Sequence, residues 1–256
     1  MKVKLSGVII TYNEEQNLER CILSLQGIAD EIVVLDSFSS DQTEEICKKY
    51  GVRFIQHRFD GHVEQKNRAV ENASSDYVLS LDADEEISPR LKESILTVKE
   101  NWEDDGYSFN RLNSFCGTWI RHSGWYPDRK LRLWDRRRGR WGGLNPHDRV
   151  IMDKGSSIRF ISGNLNHYSY STREEFVERT AKYAKIGAES LFRQGKQPSP
   201  VKLIFSPAWR FIKHYIIGMG MLDGVNGLVI SWHQARGTYV KYRELYRICS
   251  LKNNSK

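Results

Sequence analysis

The chain has 256 residues, 39% hydrophobic and 28% charged, with a formal net charge of +7. That length fits one large domain or two small ones, and that composition excludes a disordered chain. Cys21, Cys47, Cys116 and Cys249 stand far apart with no CxxC pair. This excludes a disulfide scaffold or zinc ribbon and points to a reducing compartment.

The first ninety residues alternate between strand and helix patterns. Leu5 to Thr11 is an apolar run rich in β-branched residues, the mark of a buried strand. It enters directly from the N-terminus, with no apolar core of signal-peptide length. Asn13 followed by Glu14 and Glu15 predicts a helix start with acids in the first turn. Leu18, Cys21, Ile22 and Leu25 then form one apolar helical face. Further strands are predicted over Glu31 to Asp36, Val52 to Gln56 and Tyr77 to Leu81, with helices over 41–50 and His62 to Ala73. Ser88 and Pro89 supply an N-cap and a first-turn proline for another helix. Such alternation predicts a mostly parallel sheet covered on both faces, with ligands bound beyond the carboxyl ends of its strands.

At those ends stand the polar residues. Thr11, Asn13 and Glu14 follow the first strand, Asp36 ends the second, and Asp82-Ala83-Asp84 ends the fourth. Three carboxylates are thereby expected on one sheet edge, without the glycine-rich loop of a dinucleotide or P-loop site. Acids so placed bind ribose hydroxyls, a base or a hard divalent cation.

The segments SGVIITYNEEQNLERCILSL, EIVVLDSFSSDQT and QKNRAVENASSDYVLSLDADEEI, in that order and spacing, resemble a family 2 glycosyltransferase. The resemblance implies a GT-A fold, a three-layer α/β/α nucleotide-diphospho-sugar transferase. It implies inverting transfer from a nucleotide sugar, by default uridine-linked, aided by Mg²⁺ or Mn²⁺. Thr11, Asn13, Glu14, Asp36, Lys66, Asn67, Arg68, Asp82 and Ala83 would bind the nucleotide, and Asp84 the metal. The loop Asp36-Ser37-Phe38-Ser39-Ser40-Asp41 lacks the family's usual glycine and second adjacent acid.

The next stretch offers candidates for a general base. Trp141 to Asp148 reads as a Gly- and Pro-rich loop ahead of a strand from Arg149 to Met152. Its His147-Asp148 pair resembles a His-Glu pair in lipopolysaccharide-core glucosyltransferases. That makes Asp148 the expected base and His147 an orienting or acceptor-side residue, with Asp128 the competing base. Arg129 and Arg132, in a basic cluster running to Arg140, are expected to meet the diphosphate. His167, placed after the last core strand, is a candidate second metal ligand.

Residues 171–256 carry 15 Lys/Arg against 6 Asp/Glu, which leaves the first 170 slightly acidic. This third is expected to be helical: Thr172 to Arg193, then 201–221, then 228–248, with Gly218, Gly220, Gly224 and Gly227 forming a break. No run of about 18 uncharged apolar residues reads as a membrane span. Interleaved aromatic and basic residues predict either an interfacial amphipathic extension or a helical pair packed on the core. The expected organisation is a catalytic domain over 1–170, with a nucleotide half 1–90 and an acceptor half 91–170, then a basic extension over 171–256. The expected setting is cytoplasmic, peripheral on the inner membrane face. The expected partners are a nucleotide sugar, a glycan or glycolipid acceptor and an anionic membrane, without nucleic acid. Two other readings compete. A sugar nucleotidyltransferase would need a Gly-rich basic signature that residues 5–20 lack. A basic membrane- or RNA-binding module would need no role for Asp36, Asp82 or Asp84.

Overall fold

The computed structural model describes residues 1–144 and 147–254. Contacts divide the chain into two units, Met1–Arg111 with Asp128–His167, and Leu112–Pro127 with Tyr168–Lys256.

The first unit opens with β1 (Leu5–Thr11), α1 (Leu18–Leu25), β2 (Glu31–Asp36), α2 (Thr43–Lys49), β3 (Arg53–Gln56), α3 (His62–Glu71) and β4 (Tyr77–Asp82). It continues with β5 (Glu85–Ile87), α4 (Pro89–Glu100), β6 (Gly106–Phe115), β7 (Thr118–Trp119), β8 (Asp128–Asp135), β9 (Gly139–Leu144), β10 (His147–Met152) and β11 (Ile158–Tyr170). β7 and the far ends of β6 and β11 belong to the second unit. The sheet order is β3-β2-β1-β4-β8-β6-β11-β5, with the first four strands parallel and β8 antiparallel to β4.

Period-two alternation sends side chains to opposite faces. Leu5, Ile9, Val34, Leu79 and Leu81 meet α1 and α4 through Leu18, Ile22, Leu25, Leu91 and Ile95. Val8, Val33, Leu35 and Val78 face the other way, against Ala69 and Val70 of α3, with Trp141 and Val150. Helices therefore cover both faces, as the continuous apolar strands predict. The Ser88 cap is also as expected: its hydroxyl accepts from the Leu91 amide at 3.3 Å and Pro89 fills the first turn.

Two local expectations fail. No helix starts at Asn13; α1 begins at Leu18, and Asn13 is left-handed at φ +52°. Its side-chain oxygen accepts from the Ser40 amide at 2.8 Å, so the asparagine joins two loops instead of capping a helix. The 141–148 segment is not a loop up to its aspartate either. Trp141 and Asp148 sit in the antiparallel β9–β10 ribbon, paired Trp141↔Val150 and Gly143↔Asp148. Glycine permits that pairing: a Cβ on Gly142 would lie 2.6 Å from Ile151 Cδ1. Asn145, Pro146 and the side chain of His147 lie outside the described residues.

The second unit holds α5 (Arg173–Arg193), α6 (Pro200–Ile212), a π-helical turn (Lys213–Ile217), a 3₁₀ turn (Gly220–Asp223) and α7 (Gly224–Asn254). Phe176 of α5 and Ile230 of α7 pack on Phe115 and Ile120. Ala188, Leu245 and Cys249 seal the far end of the α5–α7 pair. The glycines form the expected break: a Cβ on Gly227 would lie 1.8 Å from the Gly220 carbonyl oxygen.

Candidate active site

Register brings two of the strand-end residues together. Thr11 pairs with Asp36 and Ile10 with Asp82, so Asp36 and Asp82 flank the end of β1 at one edge, and Asp84 follows two residues beyond β4. Their surroundings differ. Asp36 is fully buried and accepts from the Ser39 amide at 2.9 Å, from the Ser39 hydroxyl and from Gln56. Its carboxylate shapes the loop after β2. That loop is laced to the loop after β1. The Asn13 amide donates to Ser39, the Glu14 amide to Thr43, and the Glu15 amide to Asp41. Thr11 is 5% exposed and its hydroxyl is buried without a bonding partner among the described residues.

The densest chemistry surrounds Asp82. Lys66, on the inner face of α3, is 4% exposed. Its Nζ lies 2.9 Å from Asp82 Oδ1 and 2.7 Å from Asp148 Oδ2. A terminal nitrogen of Arg132 lies 3.1 Å from both Asp82 Oδ2 and Glu85 Oε1. Glu85, with no exposed side-chain surface, also accepts from the Asp82 amide at 3.0 Å. Burial pushes the Asp82 carboxyl up, but the charges of Lys66 and Arg132 outweigh it and hold the group well below the usual carboxylate range.

Trp141 underlies both cations, 4.4 Å from Lys66 Nζ and 4.8 Å from the Arg132 guanidinium. Its indole face stabilises positive charge withdrawn from water. Asn67, next to Lys66 on α3, clamps Trp141 in place. It donates to the Trp141 carbonyl and accepts from the Trp141 amide, both at 3.0 Å.

Lys66, Asp82, Arg132, Trp141 and Asp148 line a cavity of about 620 Å³ that also takes in Arg129, Lys130 and Arg111. Arg132 keeps two buried nitrogens, Nε and one terminal nitrogen, without hydrogen-bond partners among the described residues. Unpaired buried donors on a guanidinium are costly unless an anion meets them. Arg136 and Arg137 of the basic cluster are structural: Arg136 donates to the carbonyls of Val70 and Ala73, and Arg137 pairs with Asp76 and Asp135. Arg68 also points elsewhere, bound to Asp60 at 3.1 Å and to His57 at 3.0 Å.

Asp84 stands apart from Asp82. Its Oδ2 lies 3.1 Å from His167 Nε2. His167 does not follow the last strand as expected but lies within β11, opposite Glu85. Among the described residues, no cluster of three or more His, Cys, Asp or Glu stands ready for a metal. Asp84 and His167, a carboxylate beside an imidazole nitrogen, are the pair that would hold a divalent cation here. Ala83, between Asp82 and Asp84, is buried in the hydrophobic core.

The two candidate bases differ in restraint. Asp128 is held by Arg111 at 2.9 Å and Lys130 at 2.9 Å. Asp148 lines the cavity, and among the described residues only Lys66 bonds its carboxylate. Glu85, Arg111 and Trp141 are members of the site that sequence reasoning misses. Glu85 had a signal, since it extends the acidic run DADEE. Cys21 and Cys47 are buried: the Cys21 thiol donates to the Asp82 carbonyl at 3.6 Å, and burial pushes the Cys47 thiol up to about 12.

The family model for glycosyl transferase family 2 matches residues 6–193. An uncharacterized glycosyltransferase of Rickettsia typhi is 30% identical over 262 residues, covering 98% of this chain and 89% of the relative. The lipopolysaccharide core biosynthesis glycosyltransferase LpsC of Rhizobium meliloti is 29% identical over 259 residues, covering 98% and 95%. The solved mannosyltransferase PcManGT of Pyrobaculum calidifontis superposes with a TM-score of 0.51 at 14% identity, covering 98% of this chain and 88% of that one.

Proposed function

The chain belongs to glycosyltransferase family 2 and has the GT-A fold; on that premise we propose that it moves a hexose from a uridine diphosphate sugar to a cell-envelope acceptor of the lipopolysaccharide-core type, with inversion. The observation that carries this is the buried Lys66 and Arg132 pair, its spare guanidinium donors beside the cavity that Asp148 also lines. The acceptor class rests on similarity to LpsC.

In this reading the diphosphate lies against Arg132 and Lys66, and Arg129 adds charge at the cavity wall. Thr11 and the laced loops after β1 and β2 receive the nucleoside, and Asp82 accepts from a ribose hydroxyl. Asp84 and His167 would hold the divalent ion. When bound, that ion offsets charge on the leaving diphosphate. Asp148 takes the proton of the acceptor hydroxyl as its oxygen bonds the anomeric carbon. The carbon–oxygen bond to the diphosphate breaks in the same displacement, and the electron pair leaves on phosphate. Attack opposite the leaving group inverts the centre. The fixed cations need no reorganisation as the leaving charge grows.

The test is thermal unfolding with UDP, GDP, CDP and dTDP, each with and without Mn²⁺, on the native chain and Asp84→Asn. GDP belongs in the set because the mannosyltransferase of like fold is described with GDP-Man and Mn²⁺. A ligand at about 100 times its Kd stabilises by about 2.7 kcal/mol. A shift for one nucleotide that needs metal and disappears in Asp84→Asn is expected. The absence of any shift refutes the donor site.

A further inference from the structure

In α6, Pro200–Ile212, no residue is buried. Ile204 and Phe205 are each 66% exposed and Trp209 59%. Across the bend, Leu222, Val225 and Trp232 are each more than 60% exposed. Between α6 and α7 runs a groove of about 630 Å³, lined by Leu203, Pro207, Phe211, Trp232 and Tyr239, with Arg236 in its wall. An exposed apolar surface this continuous marks a place where another phase or molecule sits.

The bend between the helices is built rather than loose. Asp223 accepts from the His122 amide at 3.0 Å and pairs with the His122 ring at 2.9 Å. The Ser123 amide donates to the Gly218 carbonyl at 2.8 Å. Gly227 packs on Gly220 too closely for any side chain. The apolar face is therefore held open by its own bracing.

Charge identifies the occupant. Residues 194–243 contain seven Lys/Arg and a single acid, Asp223, which is spent on His122. Lys202, Arg210 and Lys213 are interleaved with the exposed apolar groups. Protein interfaces deplete lysine at their cores, whereas an anionic bilayer draws basic residues to its phosphates and tryptophan to its interface. No single helix among the described residues is long and apolar enough to cross a membrane. Pro200–Ile217 and Gly220–Leu251 pass that test only as a pair, and they are bent by 70°.

We propose that α6, the bend and the first turns of α7 form a hairpin that lies in the interface of an anionic phospholipid bilayer, its groove taking a lipid tail. The inference does not rest on the donor reading. The arrangement stays within one leaflet, with basic groups at the phosphates and the apolar face below them.

The test uses the full chain and phosphatidylcholine vesicles with and without phosphatidylglycerol. Flotation is expected with phosphatidylglycerol at low salt, weakening as salt screens the attraction. Replacing Lys202 or Lys213 by Gln should lower partitioning about five-fold each. Phe205→Glu with Trp209→Glu should abolish it without moving the thermal midpoint, since both side chains are exposed. Fluorescence lost in Trp209→Phe should be quenched more by shallow than by deep nitroxide lipids. The proposal is overturned if the native chain fails to float at low salt. It is overturned too if the glutamate variant binds equally, if deep quenching prevails, or if the face instead closes a lipid-free dimer that Phe205→Glu dissociates.

Discussion

Replacing Lys66 by Met removes one charge from a buried cluster while keeping a stem of similar length. In the native chain Nζ meets Asp148 at 2.7 Å and Asp82 at 2.9 Å, and lies 4.4 Å over Trp141. Without it, Asp148, 14% exposed, loses the lysine, and Asp82, 26% exposed, keeps Arg132 alone. Removing one partner of a buried pair costs about 3–5 kcal/mol. The partial exposure of Asp82 favours the lower end, about 3 kcal/mol. In a unit of this size each kcal/mol moves Tm by about 2–4 °C, so a fall of about 6–12 °C is expected. Urea unfolding followed by far-UV circular dichroism and tryptophan fluorescence measures the loss. Lys66→Met combined with Asp148→Asn should recover about 1–3 kcal/mol, because the second change neutralises the stranded carboxylate. A loss under about 1 kcal/mol, or strict additivity, would refute the view that Lys66 is a buried electrostatic keystone.

Three further outcomes follow from the geometry. Asp148→Asn should lower kcat by about 10²–10⁴ with nucleotide binding retained, while Asp128→Asn stays within a few-fold; the reverse order would assign the base to Asp128. The Asp82 carboxyl lies lower in the folded than in the unfolded chain. Its contribution is thus complete above about pH 5 and is lost as pH falls below the unfolded value of about 3.9. Unfolding free energies of the native chain and Asp82→Asn should therefore differ at pH 7 and converge in acid, and a gap constant with pH would sink the argument. Gly163 has φ +111°, and a Cβ there would lie 2.3 Å from the Leu91 amide nitrogen. Gly163→Ala should cost at least about 2 kcal/mol, and a calorimetric loss under about 0.5 kcal/mol would contradict it.

Local patterns carried the parallel half of the sheet into view. β1, β2 and β4 are continuous apolar runs because both their faces are covered, and the Ser88–Pro89 start has its own chemistry. The sheet edge bearing Asp36 and Asp82 follows from those strands alone. What stayed hidden is non-local. Nothing near Arg132 announces that β8 inserts antiparallel beside β4 and sets its guanidinium on Asp82. Trp141 reads as the start of a loop, and its role as a platform depends on cations brought from α3 and β8. Asn13 misled because one residue type serves both helix caps and left-handed turns, and only its tie to Ser40 decides between them. The exposed face of α6 was legible as amphipathic and basic, but not the braced bend that holds it open.

The Asn67 clamp has an evolutionary corollary. Two successive residues of α3 reach the same ribbon, Lys66 to Asp148 and Asn67 to the Trp141 backbone. A one-residue slip between β9 and β10 would break the cross-pairing that places Trp141 and Asp148 for these two contacts. Mutations that adjust the lysine therefore disturb the Asp148 carboxylate, and the reverse holds as well. Such a site resists stepwise retuning at its centre. Diversification is channelled to the rim, where Arg129 and Ile158 border the cavity without belonging to the clamp.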